Sequence, residues 1–448
     1  MMLFIQTYGN LVFHVMMVFV CMLIHPLSDV KAFFDIEIPS SFNPLGTGAR
    51  AIGMGSAFIG LADDATSASW NPGGLKNIRK PEYSIVLSSC FRNENISSGK
   101  YPDFDGNHHI NHQNLNFMGL TFPLQLNQLR MVFSLNYQSL YDFSREWDFT
   151  INQLVALDVQ KHQWHYRQSG QLAATGFSYC IVFPPDLSIG ITLNQWNNDV
   201  VKNRWTQEYH HTTTGTLGGA PLKIIEHRKI QNSFRGVNFN LGILWDINND
   251  LSLGLVFKSP FKATVENRLE QYSEMISPMP DVDYKTPTRT NDLYMPLSMG
   301  IGFLYRFSAK WFMTFDLYRT NWHQFKYRDD KNTEYSPISE KLMSESNVEA
   351  THQIRLGTEY VWIDHLNSDS LTFRTGVFYD PAPSEKGIDD FYGISLGIGL
   401  TKLPWFSIDL AYQYRYGHNV GQSMLRHMAF SQDVHEHMMY SSIIYYLE

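Results

Sequence analysis

The chain has 448 residues, of which 44% are hydrophobic, 14% aromatic and 17% charged, with 35 Lys and Arg against 43 Asp and Glu. A formal net charge of −8 has the wrong sign for a nucleic-acid partner, whose phosphates call for a basic surface. The length suits about two or three soluble domains or one large β-barrel, and the 30 Phe, 24 Tyr and 10 Trp fit an aromatic-girdled barrel or an aromatic-rich sandwich.

The first element in chain order is the apolar run over residues 11–24, followed by Pro26 and by the aliphatic or small Val30 and Ala32. It is short for a spanning helix and reads as an export signal cleaved after residue 32. Residues 1–10 carry no Lys or Arg, so the usual positive start is missing, and an uncleaved anchor is the alternative. Cys21 follows Phe19 and Val20, not the small residues of a lipoprotein signal. Only Cys90 and Cys180 remain beyond the signal; two cysteines are no disulfide framework, and pairing is left open.

Residues 48–75, GARAIGMGSAFIGLADDATSASWNPGGL, come next and follow no strand period. Their Gly, Ala and Ser permit tight turns and close packing. Asp63 and Asp64 are placed to cap a short helix over the following ATSA, and Asn71-Pro72 to end it. The stretch predicts a compact, plug-like element.

From residue 82 onward the dominant period is two. In VNFNLGILW, Val237, Phe239, Leu241, Ile243 and Trp245 alternate with Asn238, Asn240 and Gly242; LSLGLVF repeats the pattern after the turn DINND, giving a hairpin. MGIGFLYRF and WFMTFDLY form a second hairpin about SAK, and IRLGTEYVW, LTFRTGVFY, ISLGIGL and FSIDLAYQYRY continue the series. About a dozen strands can be counted, many of about 9 to 13 residues, the length that crosses a bilayer at a tilt. The alternate face carries Asn240, Asp316, Arg355, Glu359, Arg374, Asp409 and repeated Gly. Short turns alternate with long polar excursions at 196–233, 262–293 and 323–350, expected as loops. A soluble sandwich would also alternate, but length and turn asymmetry favour an all-β, antiparallel transmembrane β-barrel. The expected organisation is a signal over 1–32, a hatch over 33–80 and a barrel over 81–448.

The hatch stretch closely resembles that of the FadL/TodX family of outer-membrane transporters for long-chain fatty acids and aromatic hydrocarbons. The matching residues are Gly48-Ala49-Arg50-Ala51, Gly53, Ala62-Asp63-Asp64-Ala65 and Asn71-Pro72-Gly73, with Gly73 where Ala is usual. Downstream, GVNFNLGILWDINNDLSLGLVFKSPFKATVE and IRLGTEYVW with LTFRTGVFYDPAP are similar to barrel hairpins of the family. The resemblance implies a 14-stranded barrel with an N-terminal hatch in its lumen, at the bacterial outer membrane. It implies passive uptake of a hydrophobic compound (a fatty acid, alkane or aromatic hydrocarbon) with sideways exit into the membrane. Membrane lipids are expected as neighbours, and the protein as a monomer. A barrel of the same superfamily that holds or shuttles proteins is the alternative.

Phe33 and Phe34, at the expected mature N-terminus, are candidate ligand-lining residues. Arg355 and Arg374 either bind a ligand carboxylate or are lumen charges paired with acids such as Glu359 and Asp409. Seventeen His include His108, His109, His112, His435 and His437, but no closed ligand set, so no metal or other cofactor is expected. No nucleophile elbow is present and Asp63-Asp64 is not read as a catalytic pair, so no enzyme is expected.

Overall fold

The computed structural model describes residues 42–447 apart from 156–157, 200, 277–281, 364–368, 386 and 426–428. The export signal, Phe33 and Phe34 lie outside the described residues.

Fourteen strands form the wall. They are β1 Glu82–Ser98, β2 Gly106–Leu126, β3 Leu129–Asp142, β4 Asp158–Phe183, β5 Leu187–Trp196, β6 Ala220–Asp246 and β7 Leu251–Lys258. The second half comprises β8 Ser298–Ser308, β9 Trp311–Thr320, β10 Thr351–Ile363, β11 Ser370–Tyr379, β12 Phe391–Lys402, β13 Phe406–Val420 and β14 Phe430–Tyr446. Each pairs antiparallel with its neighbour. β14 returns to β1, from Glu82↔Tyr446 to Ser98↔Phe430, so the sheet closes and leaves no edge.

The burial is inside out. Outward Leu135 is 61% exposed and Leu396 58%, whereas inward Asp316 is 0% exposed. An apolar band facing outward is what lipid requires, and pairing around the ring satisfies the backbone of the strands that lipid surrounds. At the end of the short turns an outward girdle includes Tyr83, Phe183, Trp245, Phe307, Trp311, Trp405 and Tyr445, the amphipathic rings favoured at a membrane interface.

The expected hairpins about DINND and SAK are present. The first two expected loops are largely strand instead. Arg204–Leu217 pairs with β4 and β6, and Phe261–Ile276 pairs with β6 over Thr264↔Arg235 to Ile276↔Lys223. Beyond the membrane both strand faces meet polar surroundings, so the ladder continues while apolar alternation fades. β4 and β6 thereby reach 26 and 27 residues.

Residues 42–78 contain two short helices, α1 Ala49–Gly53 and α2 Ser67–Trp70, then a 3-10 turn over Pro72–Asn77. Nearly all of their side chains are buried. The repeated wall glycines find their reason here. A Cβ on Gly376 would stand 2.3 Å from the Gly55 nitrogen, and one on Gly254 would stand 2.1 Å from the Ile59 oxygen. Close backbone approach needs glycine at such positions.

Candidate functional site

Conserving space is only half of how the N-terminal segment is held; polar anchors from strands all round the wall do the rest. Asp316 on β9 accepts the Phe58 and Ile59 amides at 2.7 and 2.9 Å. Asn116 is the extra residue of a bulge on β2 opposite Val86/Leu87. Its side chain accepts from Gly48 N at 3.2 Å and donates to Gly46 O at 2.9 Å. Ser442 on β14 accepts from Ala49 N at 2.8 Å, and Thr192 on β5 donates to Ala68 O at 2.8 Å. Gly48 itself has φ +88, a conformation suited to glycine.

The motif residues are brought together by charge. Arg50 donates to Asp63 Oδ1 at 2.7 Å and, with two nitrogens, to Glu359 at 2.9 and 3.0 Å. Arg374 pairs with the same Glu359 and with Asp409 at 2.6 Å. Thus Arg374, one of the two candidate ligand arginines, is committed to wall carboxylates, the second of the two readings above. Asp63 is no helix cap; it faces Arg50. Asp64 turns the chain ahead of α2, accepting from Thr66 N at 2.8 Å and Thr66 Oγ1 at 2.5 Å, while the N-cap Thr66 has no side-chain cap bond. α2 ends at Trp70 as the Asn71-Pro72 pair requires, and the Asn71 side chain accepts from Gly73 N at 3.1 Å to open the next turn.

Above this network lies a cavity lined by the chain from Phe42 to Gly46, by Ser56 and by wall residues including Tyr141, Arg355, Phe378 and Arg415. Arg415 pairs with Asp380 at 3.1 Å and Glu436 at 3.7 Å. Arg355 differs: its bonds go to Gln353 Oε1 at 2.8 Å and Ser56 O at 3.4 Å, with the rings of Trp70 and Tyr318 at 5.5 and 5.7 Å. Among the described residues it is in no ion pair. Phe42 and Tyr141, which line the cavity, belong to a packed aromatic cluster. Phe42 lies 4.6 Å from Tyr141, 5.6 Å from Phe143, 5.3 Å from Phe325 and 5.9 Å from Trp322, centroid to centroid. Phe143 stacks on Trp205 at 4.6 Å. Phe42, Phe143, Trp205, Trp322 and Phe325 are each 2% exposed or less.

The wall is interrupted beside these rings. The β2–β3 ladder ends at Phe117↔Gln138, and residues 106–116 of β2 pair only with β1. β3 bulges between Ser139 and Tyr141, where Leu45 N of the N-terminal segment donates to Leu140 O at 2.7 Å. The strand then breaks at Phe143-Ser144 before resuming as Arg145–Val155.

The sequence profile of the family described as outer membrane protein transport protein (OMPP1/FadL/TodX) matches residues 44–438. The chain belongs to this family. A long-chain fatty acid transport protein of Escherichia coli O6:H1 (strain CFT073) is 27% identical over 203 residues, 41% of this chain and 43% of that relative. Among solved structures, a Pseudomonas aeruginosa FadL homologue aligns with a TM-score of 0.63 at 14% identity, covering 91% of this chain and 100% of the other. The Pseudomonas putida toluene transporter TodX aligns with a TM-score of 0.56 at 14% identity, covering 90% and 99%. As a member of this family of outer-membrane transport proteins, the chain is a barrel of the bacterial outer membrane.

Three features escape a reading of the sequence. Phe42 sits in SFNPLGTG, outside any strand pattern, and its aromatic neighbours come from segments up to 283 residues away (325 − 42). The Asn116 bulge is hidden because alternation continues on both sides of it. The break at Phe143-Ser144 leaves no Gly or Pro as a marker. Cys90 and Cys180 are free, buried thiols, and no group of three or more metal-ligating side chains occurs among the described residues.

Proposed function

We propose that this protein carries hydrophobic molecules passively across the outer membrane, as a conduit that catalyses no reaction. In this reading residues 33–80 are a hatch, the cavity above it receives the ligand, and the ligand leaves sideways between β2 and β3. The observation that carries the reading is the ladder ending at Phe117↔Gln138 beside the aromatic rings about Phe42. An apolar solute gains by staying in contact with apolar surface and moving into lipid, and gains nothing by crossing a polar lumen. An interrupted wall beside an aromatic cluster favours transport over the holding of protein partners. The protein works as a monomer, each barrel having its own wall opening.

Arg355 supports a carboxylate head group for the cargo. A guanidinium at the cavity wall, opposite Asp316 in the ladder but in no direct ion pair, is suited to a ligand carboxylate through bidentate bonds, so the cargo is a fatty acid. Arg374, fully engaged, has no such role. The test compares uptake of radiolabelled oleate and of a labelled C18 alkane in cells with and without the protein, and with Arg355→Gln. Uptake of oleate that depends on the protein and falls about 10- to 100-fold in the variant, as loss of one charged hydrogen bond predicts, supports the reading. Equal oleate uptake with and without the protein sinks it. Equal loss of alkane uptake in the variant would remove Arg355 from head-group recognition.

A further inference from the structure

Above the break, the wall between β2 and the Arg145–Val155 strand is closed by side chains and not by a ladder. On the far side Arg145–Val155 is fully paired with β4, from Arg145↔Gln168 to Val155↔Asp158. On the near side only every fourth backbone position is held. Ser144 O accepts from Arg92 Nη2, Asp148 N donates to His108 Nδ1 at 3.2 Å, and Asn152 N donates to Asp103 Oδ2 at 3.3 Å. Side-chain bonds cross as well, from Trp147 Nε1 to Glu94 Oε2 at 2.6 Å and from Asn152 Nδ2 to Asp103 Oδ2 at 3.2 Å.

Behind this polar seam lies an apolar cluster built from both of its sides. Trp147 and Phe149 come from Arg145–Val155, while Ile96, Phe104 and Phe430 come from the β1–β2 and β14 side. Trp147 lies 5.5 Å from Phe430 and Phe104 lies 4.2 Å from Phe149, centroid to centroid. Parting any of the continuous wall joints would expose a row of paired amides and carbonyls. Parting the seam breaks side-chain bonds and uncovers aromatic surface, leaving every ladder intact.

We infer that the seam closed by Arg92, Glu94, Asp103 and His108 is the entrance: it opens outside the membrane to admit the hydrophobic ligand against the aromatic cluster behind it. This rests on the uptake reading and adds to it. Entry and exit then share one side of the barrel, with entry through residues 144–152 and exit below Phe143. The ligand meets Trp147 and Phe149 first and the rings about Phe42 next, so apolar contact is kept along the path. The residues at the seam position the wall and take no part in holding the hatch.

The test locks the seam. Asp103→Cys with Asn152→Cys places two thiols at exposed, bonded positions, while Cys90 and Cys180 are buried. Cells carrying the pair are treated with a short bifunctional methanethiosulfonate, which joins the two thiols through reducible disulfides with loss of sulfinate, and assayed for radiolabelled oleate uptake. Uptake is expected to be lost on crosslinking and regained on reduction. A control pair at the ladder partners Asn95 and Asn107, crosslinked the same way, is expected to transport normally. Undiminished uptake through the crosslinked 103/152 pair overturns the entrance. Should that pair fail to assemble in the membrane, His108→Cys with Asp148→Cys decides by the same two outcomes. Absence of uptake by the unaltered protein sinks the transport reading itself, and so is distinct from a failure of the seam alone.

Discussion

Arg355 and Arg374 are the same residue type on adjacent strands, both inward and both nearly buried, at 8% and 7% exposure. Their partners separate them. Arg374→Gln takes from Asp409 its bonded guanidinium and from Glu359 one of two. Breaking a buried pair from one side costs about 3–5 kcal/mol, so its unfolding midpoint in detergent should fall well below that of the unaltered protein. Arg355→Gln breaks no direct ion pair, although Arg355 stands opposite Asp316 in the β9–β10 ladder, and should cost less, about 1 kcal/mol, the scale of the hydrogen bond lost to Gln353. Equal midpoints for the two variants would contradict this division. Asp316→Asn makes a related case: the amide retains an oxygen for Phe58 and Ile59 but loses the charge. A charge-assisted bond exceeds a neutral one by about 1 kcal/mol or more, and denaturant titration should show a loss of that order. That both arginines face inward is legible in the alternation of IRLGT and LTFRT. Which of them is saturated depends on Glu359, Asp409 and Arg50, brought together only by closure of the barrel.

At the scale of elements, period two identified the membrane strands because lipid imposes one apolar face on each. It identified neither the polar strand extensions nor the seam. The extensions around Lys223–Ser233 lack an apolar face, and a missing ladder is a property of a pair of strands, invisible in either alone. The segment between β9 and β10 shows another polar device that no period reveals. Its short strands Lys326–Arg328 and Glu334–Tyr335 are stapled by Glu334. The carboxylate accepts from Lys326 at 2.9 Å and from Arg328 at 2.6 Å. Hydrogen bonds from Arg328, then Lys326, hold the Glu334 carboxyl below its ordinary value of 4.5. For a carboxylate with a depressed pKa, the stabilisation is fully present above the ordinary pKa and is lost as pH falls through the depressed one. The staple should therefore be intact at neutral pH and through pH 5, and loosen only in more acidic solution. Hydrogen exchange of the backbone at residues 326–335 should accelerate below pH 4 relative to its pH-corrected intrinsic rate, and Glu334→Gln should show the faster exchange already at pH 6. A pH-independent protection factor in the unaltered protein would count against the staple.

At the scale of the whole molecule, the outcome turns on what fills a closed ring of 14 strands. A ring of 8 strands is filled by its own side chains, whereas 16 or more leave an aqueous channel. At 14, a lumen lined by Asn240, Asp316, Glu359, Arg374 and Asp409 would be wet if empty. The N-terminal segment meets the wall at Gly242, Gly254, Gly357 and Gly376, where any larger residue would collide with it. It is also anchored by Asp316, Asn116, Ser442 and the Arg50–Glu359 pair. These anchors cross from the segment to widely separated strands, so ejecting it would break them together. Displacing the segment is therefore costly, which is consistent with the proposed sideways route through the interrupted wall. Deletion of residues 42–78 should leave a barrel still closed by the β1–β14 ladder, because that ladder uses none of the deleted residues. Inserted in a planar lipid bilayer, the deleted form should pass a steady ionic current that the intact protein does not, and the current should scale with salt concentration as in an open aqueous pore. A deleted form that is folded, by its heat-dependent gel mobility, but carries no more current than the intact protein would mean that the segment does not seal the lumen. The same comparison with Gly376→Trp, which wedges the segment off the wall without removing it, should give a smaller and fluctuating current, since the remaining anchors hold the segment in place on most of its perimeter.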